Sequence, residues 1–443
     1  MAFGGAALAQ PLSLADIVAR ARAGDLRVKE AEGQVRILRG KFDEARWAWF
    51  PKIEANVYLA GPTPEALNDG LGGAPTSKAT LMYDTNFGNP GVMVGAEAQG
   101  VLPLYTFGKL SALERLGKKG VEVGEALRTR AQDEAEFQAV QAFWGYQLAR
   151  QGEAALRDTA KRLDDAAAIL QRLRVEGSAQ VTEMDVFKMA FFKRQVDARS
   201  GAVTSGKALA LGAVRLLLNL GPHAPVELVP SDLSAREAAP IPLADCMKAA
   251  KEFRPELKAV AAGVEAREQE VLLKERMFFP DIGLAGFARW KWTTSATRQL
   301  SPFAYDPYND LSAGVGLVTR YSFDIPQKLA QLEQARGELE KLKFQSDLLT
   351  AAVHLEIEKA HGEWTEAISR GAAQAAAEKE ALRWATAAFT AFDLGTGDTR
   401  ELVDAFTALA TASTEKLRAW FDAELAMQAV SKAVGRSVRD LGP

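Results

Sequence analysis

The stretch from Pro326 to Asp404 decides the fold; it begins PQKLAQLEQARGELEKL and ends AFTAFDLGTGDTRELVD. Its apolar positions recur at steps of three or four residues, with one step of seven. They are Leu329, Leu332, Ala335, Leu339, Leu342, Leu349, Val353, Ile357, Ala360, Trp364 and Ile368. This period is typical of a helix that packs along other helices in a coiled coil. No proline follows Pro326 before Asp393, so we predict a helix of about 68 residues, roughly 100 Å long.

A tight reversal follows this helix at Gly395-Thr-Gly-Asp. A second helix is predicted from about Thr399, and it returns beside the first. Residues 326–437 are therefore predicted to form a very long antiparallel helical hairpin.

The same plan occurs twice in the chain. Lys109 and Lys328, which open the two helical runs, are about 219 positions apart. Gly177 and Gly395, at the two predicted reversals, are about 218 apart. Upstream, WAWFPKI matches MFFPDI. Landmarks in one order at nearly constant spacing indicate an internal duplication.

The duplication predicts the domain boundaries. Residues 1–9 end in the small-x-small pattern Ala-Leu-Ala, which predicts a truncated signal peptide. The first repeat covers residues 10–221, with strands at about 51–61 and 91–104 and a hairpin at 108–221. A proline-rich equatorial linker covers residues 222–242. The second repeat covers residues 243–443, with strands at about 281–292 and 311–323 and a hairpin at 326–437.

The predicted strands alternate between apolar and polar residues. In the first, Ile53 and Val57 share one face, and Glu54 and Asn56 share the other. Strands of about ten residues with this pattern suit the wall of a membrane barrel. Because about eight strands are needed to enclose an interior, the four strands of one chain must combine with those of other chains. Three chains would give twelve strands, but the sequence alone does not fix the number.

Aromatic residues cluster where strands meet helices, in both repeats. They are Trp47, Trp49, Phe50, Tyr105, Phe107, Phe278, Phe279, Tyr321 and Phe323. Aromatic residues at the ends of membrane strands mark the two bilayer interfaces. The alternative is that they cap a soluble strand–helix junction. Tyr58, Trp290 and Trp292 lie nearer the opposite ends of the strands, which favours the interface.

Composition excludes several classes of function. Lys and Arg number 54 against 57 Asp and Glu, a net charge of -3, so no basic excess indicates nucleic-acid binding. The single cysteine, Cys246, cannot form an intrachain disulfide. The sequence has no run of about 18 apolar residues, so it predicts no transmembrane helix. The sequence also carries no phosphate-binding loop and no serine or cysteine nucleophile signature. We therefore expect no enzyme and no cofactor.

Parts of the sequence also suggest two other functions. A soluble periplasmic coiled-coil interaction protein without a channel would explain the long helices, but the alternating strands argue against it. A helical-bundle metalloenzyme is suggested by Glu358 and His361, an E-x-x-H pair on one helix face. Such a site needs the motif twice, and Phe143 stands in the first repeat where His361 stands in the second. The pair is therefore interpreted as part of the core, and no metal site is predicted.

Over nearly its whole length the chain resembles the TolC-like outer-membrane efflux proteins (outer membrane factors). The shared features are the duplicated plan, FPKI and FPDI before the first strand of each repeat, PLYTFGK and YSFDIPQK after the second, and the tips VEGSAQVTEMDV and LGTGDTRELVDA. The resemblance implies a mixed α and β membrane protein. Its protomer would be one third of a trimeric 12-stranded outer-membrane β-barrel, with four strands per chain, continued by a long α-helical coiled-coil barrel in the periplasm.

The resemblance also implies a function. The chain would be the outer-membrane exit duct of a tripartite efflux pump or a type I secretion system in a Gram-negative cell. Export through it would be passive and would be energised by an inner-membrane pump of RND or ABC type. The implied partners are two further copies of the chain, a periplasmic adaptor (membrane fusion) protein, that pump and outer-membrane lipid, without nucleic acid.

Family members close the periplasmic end of the channel with acidic residues just after the hairpin tips. The matching residues here are Asp185, Glu401 and Asp404, and the tips expected to contact the adaptor carry Gly177, Ser178, Gly395 and Thr396. The chain departs from the family in two places. Gly397 stands where some members have an arginine, and Lys188 stands in the first repeat where Asp404 stands in the second.

Overall fold

A computed structural model describes residues 10–64, 66–67, 82–83, 90–176, 182–235, 240–298 and 306–440. The predicted signal peptide (1–9) and two predicted tip residues, Gly177 and Ser178, lie outside these ranges. The elements in chain order are α1 (Leu14–Gly24), α2 (Leu26–Arg46), β1 (Lys52–Thr63), β2 (Ala66–Leu67), β3 (Met82–Tyr83), β4 (Gly91–Tyr105), α3 (Lys109–Val175), α4 (Glu183–Leu217), α5 (Leu243–Phe253), α6 (Pro255–Arg276), β5 (Asp281–Thr293), β6 (Asp310–Arg320), α7 (Ile325–Asp393) and α8 (Thr399–Val434), followed by a short 3-10 helix (Val438–Asp440).

The chain divides into two compact units. The helical unit consists of Met1–Ile37, Val121–Gly263 and Leu342–Pro443, and the sheet unit of Leu38–Gly120 and Val264–Lys341. Each unit draws on both repeats. Helices α3 and α7, of 67 and 69 residues, contribute to both units.

Two similar cores hold the helical unit together. In the second repeat, Val353, Ile357 and Trp364 of α7 pack with α5 and with the last turns of α8. In the first repeat, α1 packs in the same way with α3 and α4, and Phe143 is at the centre. The regularly spaced apolar residues of the long helices are the ones that make these contacts. Each buried side chain of this size stabilises the fold by about 1.5–3 kcal/mol.

The E-x-x-H pair lies beside the second core. The Nε2 atom of His361 lies 2.8 Å from the carbonyl oxygen of Ile241, which precedes α5. Among the described residues, no group of three or more His, Cys, Asp or Glu side chains is placed to bind a metal ion.

One acidic side chain of the helical unit, Asp133, is buried in a way that disfavours its ionised form. Burial raises the pKa of Asp133 on α3 to about 6, although the guanidinium of Arg22 lies 3.2 Å away and opposes the shift. Its Oδ2 atom is buried without a hydrogen-bond partner. Since the pKa is above its ordinary value, folding favours the protonated form. The contribution of this group to stability is therefore greatest at low pH and is lost as the pH rises through about 6.

We therefore expect Asp133→Asn to stabilise the helical unit at pH 8, by on the order of 2 kcal/mol, and to have little effect at about pH 3.5, below the ordinary aspartate pKa of 3.8. Thermal and urea unfolding of the detergent-solubilised protein, followed by circular dichroism, measures this difference. Glu134→Gln is the matched control. Burial raises the pKa of Glu134, but hydrogen bonds from Lys432 and Gln138 outweigh it and lower the pKa overall. The control should therefore destabilise at pH 8. Equal effects of Asp133→Asn at both pH values would contradict the account.

The sheet unit is built on one four-stranded antiparallel sheet in the order β1-β4-β5-β6. In register, Val57 of β1 lies opposite Ala96 of β4, which lies opposite Trp290 of β5. Trp290 in turn lies opposite Leu311 of β6. The two central strands therefore come from different repeats. The mixed α and β composition and the four strands per chain agree with the sequence-based expectation.

One face of the sheet is apolar and largely exposed. Its large exposed residues are Ile53, Val57, Leu59, Leu284, Trp290, Trp292, Leu311, Val315 and Leu317. The other face is polar: Glu97 forms an ion pair with Arg289 at 3.7 Å, and Gln99 donates to Glu54 at 3.3 Å. Among the described helices, none is long and apolar enough to cross a membrane.

Strand β6 ends at Arg320, whereas the alternating pattern predicted a strand to about residue 323. The physical reason is a side-chain network that begins α7. The hydroxyl of Ser322 donates to Asp324 at 2.6 Å, and Lys328 donates to the carbonyl of Ser322 at 2.6 Å. These bonds fix the chain after Arg320 outside the sheet.

Candidate functional site: the hairpin end and the polar face of the sheet

The two helical hairpins pack against each other at the ends where they reverse. Leu163 and Leu170 of α3 and Met189 of α4 share one core with Phe392 of α7 and Phe406 of α8. An ion pair between Arg172 and Asp393 at 3.1 Å also joins the first hairpin to the second. The tip of the second hairpin is therefore held on a four-helix support.

The reversal between α7 and α8 depends on two glycines for different reasons. Gly395 has a φ of +70°, the left-handed conformation that suits glycine, and a Cβ there would meet no atom within 4 Å. At Gly397 a Cβ would lie 2.7 Å from the backbone nitrogen of Phe392 and 2.9 Å from the carbonyl carbon of Ala391. The backbone N–H groups of Thr396 and Gly397 both donate to the carbonyl of Ala391, at 3.0 and 2.9 Å. An arginine, found in some family members, does not fit Gly397 in this turn.

The first two turns of α8 present two carboxylates, Glu401 and Asp404, on one exposed face. Glu401 and Asp404 are exposed, while Leu402 and Phe406 on the other side of the helix are buried in the shared core. Arg400 lies on the exposed face too, with its Nε atom 3.9 Å from Asp404. Both of these side chains are more than half exposed, so their pair is worth only a few tenths of a kcal/mol. The face therefore retains its acidic character.

Asp185 occupies the corresponding position of α4 but has a different environment. It is only 8% exposed, and its Oδ2 atom accepts hydrogen bonds from the N–H and the hydroxyl of Thr182, at 2.9 and 2.6 Å. These bonds form a capping box that begins α4. The structure thus brings Glu401 and Asp404 together and places Asp185 in a cap. Of the predicted tip residues, Gly395 and Thr396 lie in the described turn.

The aromatic residues at the helix end of the sheet form three groups in the sheet unit. Trp47 stacks on Trp49, and Trp49 meets Phe50 edge-on. In the next group Phe107 contacts Tyr105 and Phe279, with ring centroids 4.7 and 5.2 Å away. In the third, Tyr321 meets Phe323, and the Lys328 ammonium lies over the Tyr321 ring. Phe278 completes the predicted set and is half-buried.

Two aromatic rings on the polar face lie over glycines of the neighbouring strand. Tyr58 is opposite Gly95 in register, and a Cβ on that glycine would be 2.3 Å from the ring. Phe287 is opposite Gly314, where a Cβ would be 2.7 Å from the ring. Such aromatic–glycine pairs stabilise neighbouring strands and fix their register. Here they also hold the rings against the sheet.

The second repeat carries the sequence features of a known family. The family model for outer membrane efflux proteins matches residues 247–436, which include the second hairpin and strands β5 and β6. Over these residues the chain is similar to the outer membrane efflux protein family. No curated protein sequence matches the chain.

Solved structures show the same fold over both repeats of the chain. The outer-membrane channel OprN is 18% identical, with a TM-score of 0.77 over 96% of this chain and 90% of its own. The CmeC outer membrane channel of Campylobacter jejuni is 14% identical, with a TM-score of 0.77 over 95% and 85%. The MtrE channel of Neisseria gonorrhoeae, solved in its open state, is 14% identical, with a TM-score of 0.73 over 96% and 89%. The TolC-like resemblance is therefore confirmed.

The matched family and the similar solved structures are outer-membrane channels rather than enzymes, which supports an outer-membrane location for the chain. The exposed apolar face of the sheet is consistent with that location. The candidate functional surfaces are the polar face of the sheet, the acidic face of α8 and the hairpin end.

Proposed function

We propose that three chains join their sheets edge to edge into a 12-stranded barrel in the outer membrane, and that their helical units form a helical barrel in the periplasm. The open edges of the sheet carry this proposal. Within the described residues, β1 pairs only with β4, and β6 pairs only with β5. In lipid every backbone N–H and C=O must be paired, so a sheet with two open edges has to close with other sheets.

The stagger of the strands supports closure. In register Lys52 lies opposite Val101, Val101 opposite Ala285, and Ala285 opposite Gly316. Arg320, where β6 ends, is four residues beyond Gly316, or about 14 Å along the strand. If Arg320 pairs with Lys52 of the next chain, this offset accumulates over four strand spacings, about 19 Å in total, and the strands tilt by roughly 35°, within the range of membrane barrels.

The apolar face has the height of an outer-membrane barrel. From Asp281, beside the aromatic groups, to Trp290 the strand runs about 30 Å. At a tilt of roughly 35° this distance covers about 25 Å of membrane, the height of the apolar band of such barrels. The aromatic groups at the helix end would then lie at the periplasmic interface and Trp290 and Trp292 at the outer one. A soluble interaction protein would leave this face in water.

The chain then serves as the passive exit duct of a tripartite efflux pump or a type I secretion system. An inner-membrane pump of RND or ABC type would supply the energy through a periplasmic adaptor. The adaptor would contact the hairpin tips at Gly395 and Thr396, and at Gly177 and Ser178 of the first hairpin. The two repeats would span residues 10–221 and 243–443, joined by the linker 222–242.

The narrowest part of the duct is proposed at the start of α8. On a threefold axis, Glu401 and Asp404 of three chains would form two stacked rings of carboxylates. The family resemblance predicts Asp185 at the same level of the duct. Its carboxylate accepts a hydrogen bond from the Thr182 hydroxyl in the cap of α4.

Pore formation tests the proposed function. The protein, purified in detergent from the outer-membrane fraction, should insert into planar bilayers and give uniform conductance steps. The control is the same preparation boiled in SDS, which unfolds the barrel and should give none. A protein that fractionates as soluble without detergent and produces no conductance would refute the duct.

A further inference from the structure

Two cations lie at the helix end of the polar face, one on each edge strand. Lys52 begins β1 and Arg320 ends β6, and both side chains are exposed. They line one hollow of about 640 Å³ on the polar face, together with Glu54, Gln99 and Phe287. Each cation lies at an edge that the proposed assembly would join to the next chain.

The acidic groups nearest to these cations are engaged elsewhere. Asp281 lies opposite Arg320 in register, but its carboxylate accepts from Lys109 at 2.8 Å. Glu54, two residues beyond Lys52 on the same face, accepts from Gln99. Within the described residues, no hydrogen bond or ion pair is formed by the side chain of Lys52 or of Arg320. Both charges are therefore available to a ligand on the polar face.

Closing the sheet brings these two cations together. When Arg320 of one chain pairs with Lys52 of the next, the two side chains lie side by side on the polar face. Side chains at directly opposite positions have Cβ atoms about 5 Å apart, and like charges there repel each other. Three such pairs would place six positive charges at one level of the barrel, with the three Glu54 carboxylates two residues further along the same face.

We propose that each of these junctions is a binding site for an anionic group, a carboxylate or a phosphate, between Arg320 of one chain and Lys52 of the next. The planar guanidinium of Arg320 can hold two oxygens of the anion, and the Lys52 ammonium supplies a compact charge on the other side. The inference rests on the proposed trimer and deepens it. It gives the barrel a layer that selects negatively charged cargo.

The test uses inorganic triphosphate as the probe, added to planar bilayers on the side of the outer strand ends, so that it reaches the barrel before the helical end. The wild-type channel should be blocked by triphosphate. The concentration for half block should rise about tenfold in Lys52→Gln or Arg320→Gln, and further in the double variant, as expected when a charged hydrogen-bonding partner is removed. Lys291→Gln is the matched control, because Lys291 lies on the same face at the other end of β5, opposite Asp310. It should leave the block unchanged.

A second measurement uses the heat resistance of the trimer in mild detergent. Triphosphate should raise the dissociation temperature of the wild-type trimer, since a ligand stabilises the state that binds it. It should have no such effect on Lys52→Gln/Arg320→Gln. A wild-type channel that conducts normally but shows the same block and heat resistance as this double variant would overturn the anion site and leave the duct intact. A chain that forms neither trimer nor pore would overturn both.

Discussion

Gly397→Ala should abolish export while leaving the amount of trimer in the outer membrane unchanged. The added Cβ would lie within 3 Å of the backbone of Ala391 and Phe392, atoms that cannot move without opening the turn. The strain is on the order of 2 kcal/mol or more, and it is confined to the reversal that the adaptor is proposed to contact. Accumulation of a fluorescent efflux substrate, in cells that express the cognate pump and adaptor, measures export. Heat-resistant trimer on SDS gels measures assembly.

Gly362→Ala is the matched control for this prediction. Gly362 lies inside α7, more than thirty residues before the reversal, and a Cβ there would meet no atom within 4 Å. The control should retain full export. Full export by Gly397→Ala would show that the reversal does not contribute to pump assembly. Loss of trimer in the same variant would show that the damage extends beyond the tip.

Glu401→Ala/Asp404→Ala should lower the cation selectivity of the pore, weaken block by multivalent cations and raise the conductance. Rings of carboxylates in a narrow aqueous neck favour cations, and six such charges would be removed from the trimer at once. We expect the ratio of cation to anion permeability to fall by about threefold or more, because fixed carboxylates attract cations more strongly in a low-dielectric neck than in bulk water. Reversal potentials across a salt gradient in planar bilayers give the ratio directly.

Glu380→Ala is the control for the neck. Glu380 is an exposed acid on α7 that pairs with Arg383 on the same helix, and its removal should leave the selectivity unchanged. Identical selectivity and block in Glu401→Ala/Asp404→Ala and in the wild type would place both carboxylates on an outer, solvated face. The duct would then have no identified constriction.

The long helices follow from the spacing of apolar residues, but the neighbours of each helix do not. Val353, Ile357 and Trp364 belong to the predicted apolar stripe of α7, and all three are buried. Leu329 belongs to the same stripe, yet it is 54% exposed in the chain. A period of three to four residues shows which face is apolar, and it cannot show whether that face meets this chain, another chain or lipid.

The acidic residues at the hairpin tips show how one local difference changes a role. Asp185 and Glu401 have corresponding positions, but Thr182 precedes the first and Asp398 precedes the second. The Thr182 hydroxyl donates to Asp185 and holds it in a cap, whereas the Asp398 carboxylate has no proton to donate to Glu401. The contrast between T-x-x-D and D-x-x-E could have been read from the sequence. The placement of Lys52 and Arg320 could not, because it depends on the register of all four strands.

Cross-linking between β1 and β6 tests the central claim, that three chains close one barrel. Cys246 is the single cysteine and is buried, so Cys246→Ala provides a background without other thiols. Asn56→Cys and Gly316→Cys place thiols on the polar face of the two edge strands, and a Cβ at Gly316 meets no atom within 4 Å. The stagger that aligns Lys52 with Arg320 of the neighbour also aligns Asn56 with Gly316. A short bismaleimide on intact cells should therefore yield covalent dimer and trimer on denaturing gels, and nothing larger, with no product from either single variant. Only monomer after complete modification of both thiols, or a ladder beyond three chains, would contradict the closed trimer.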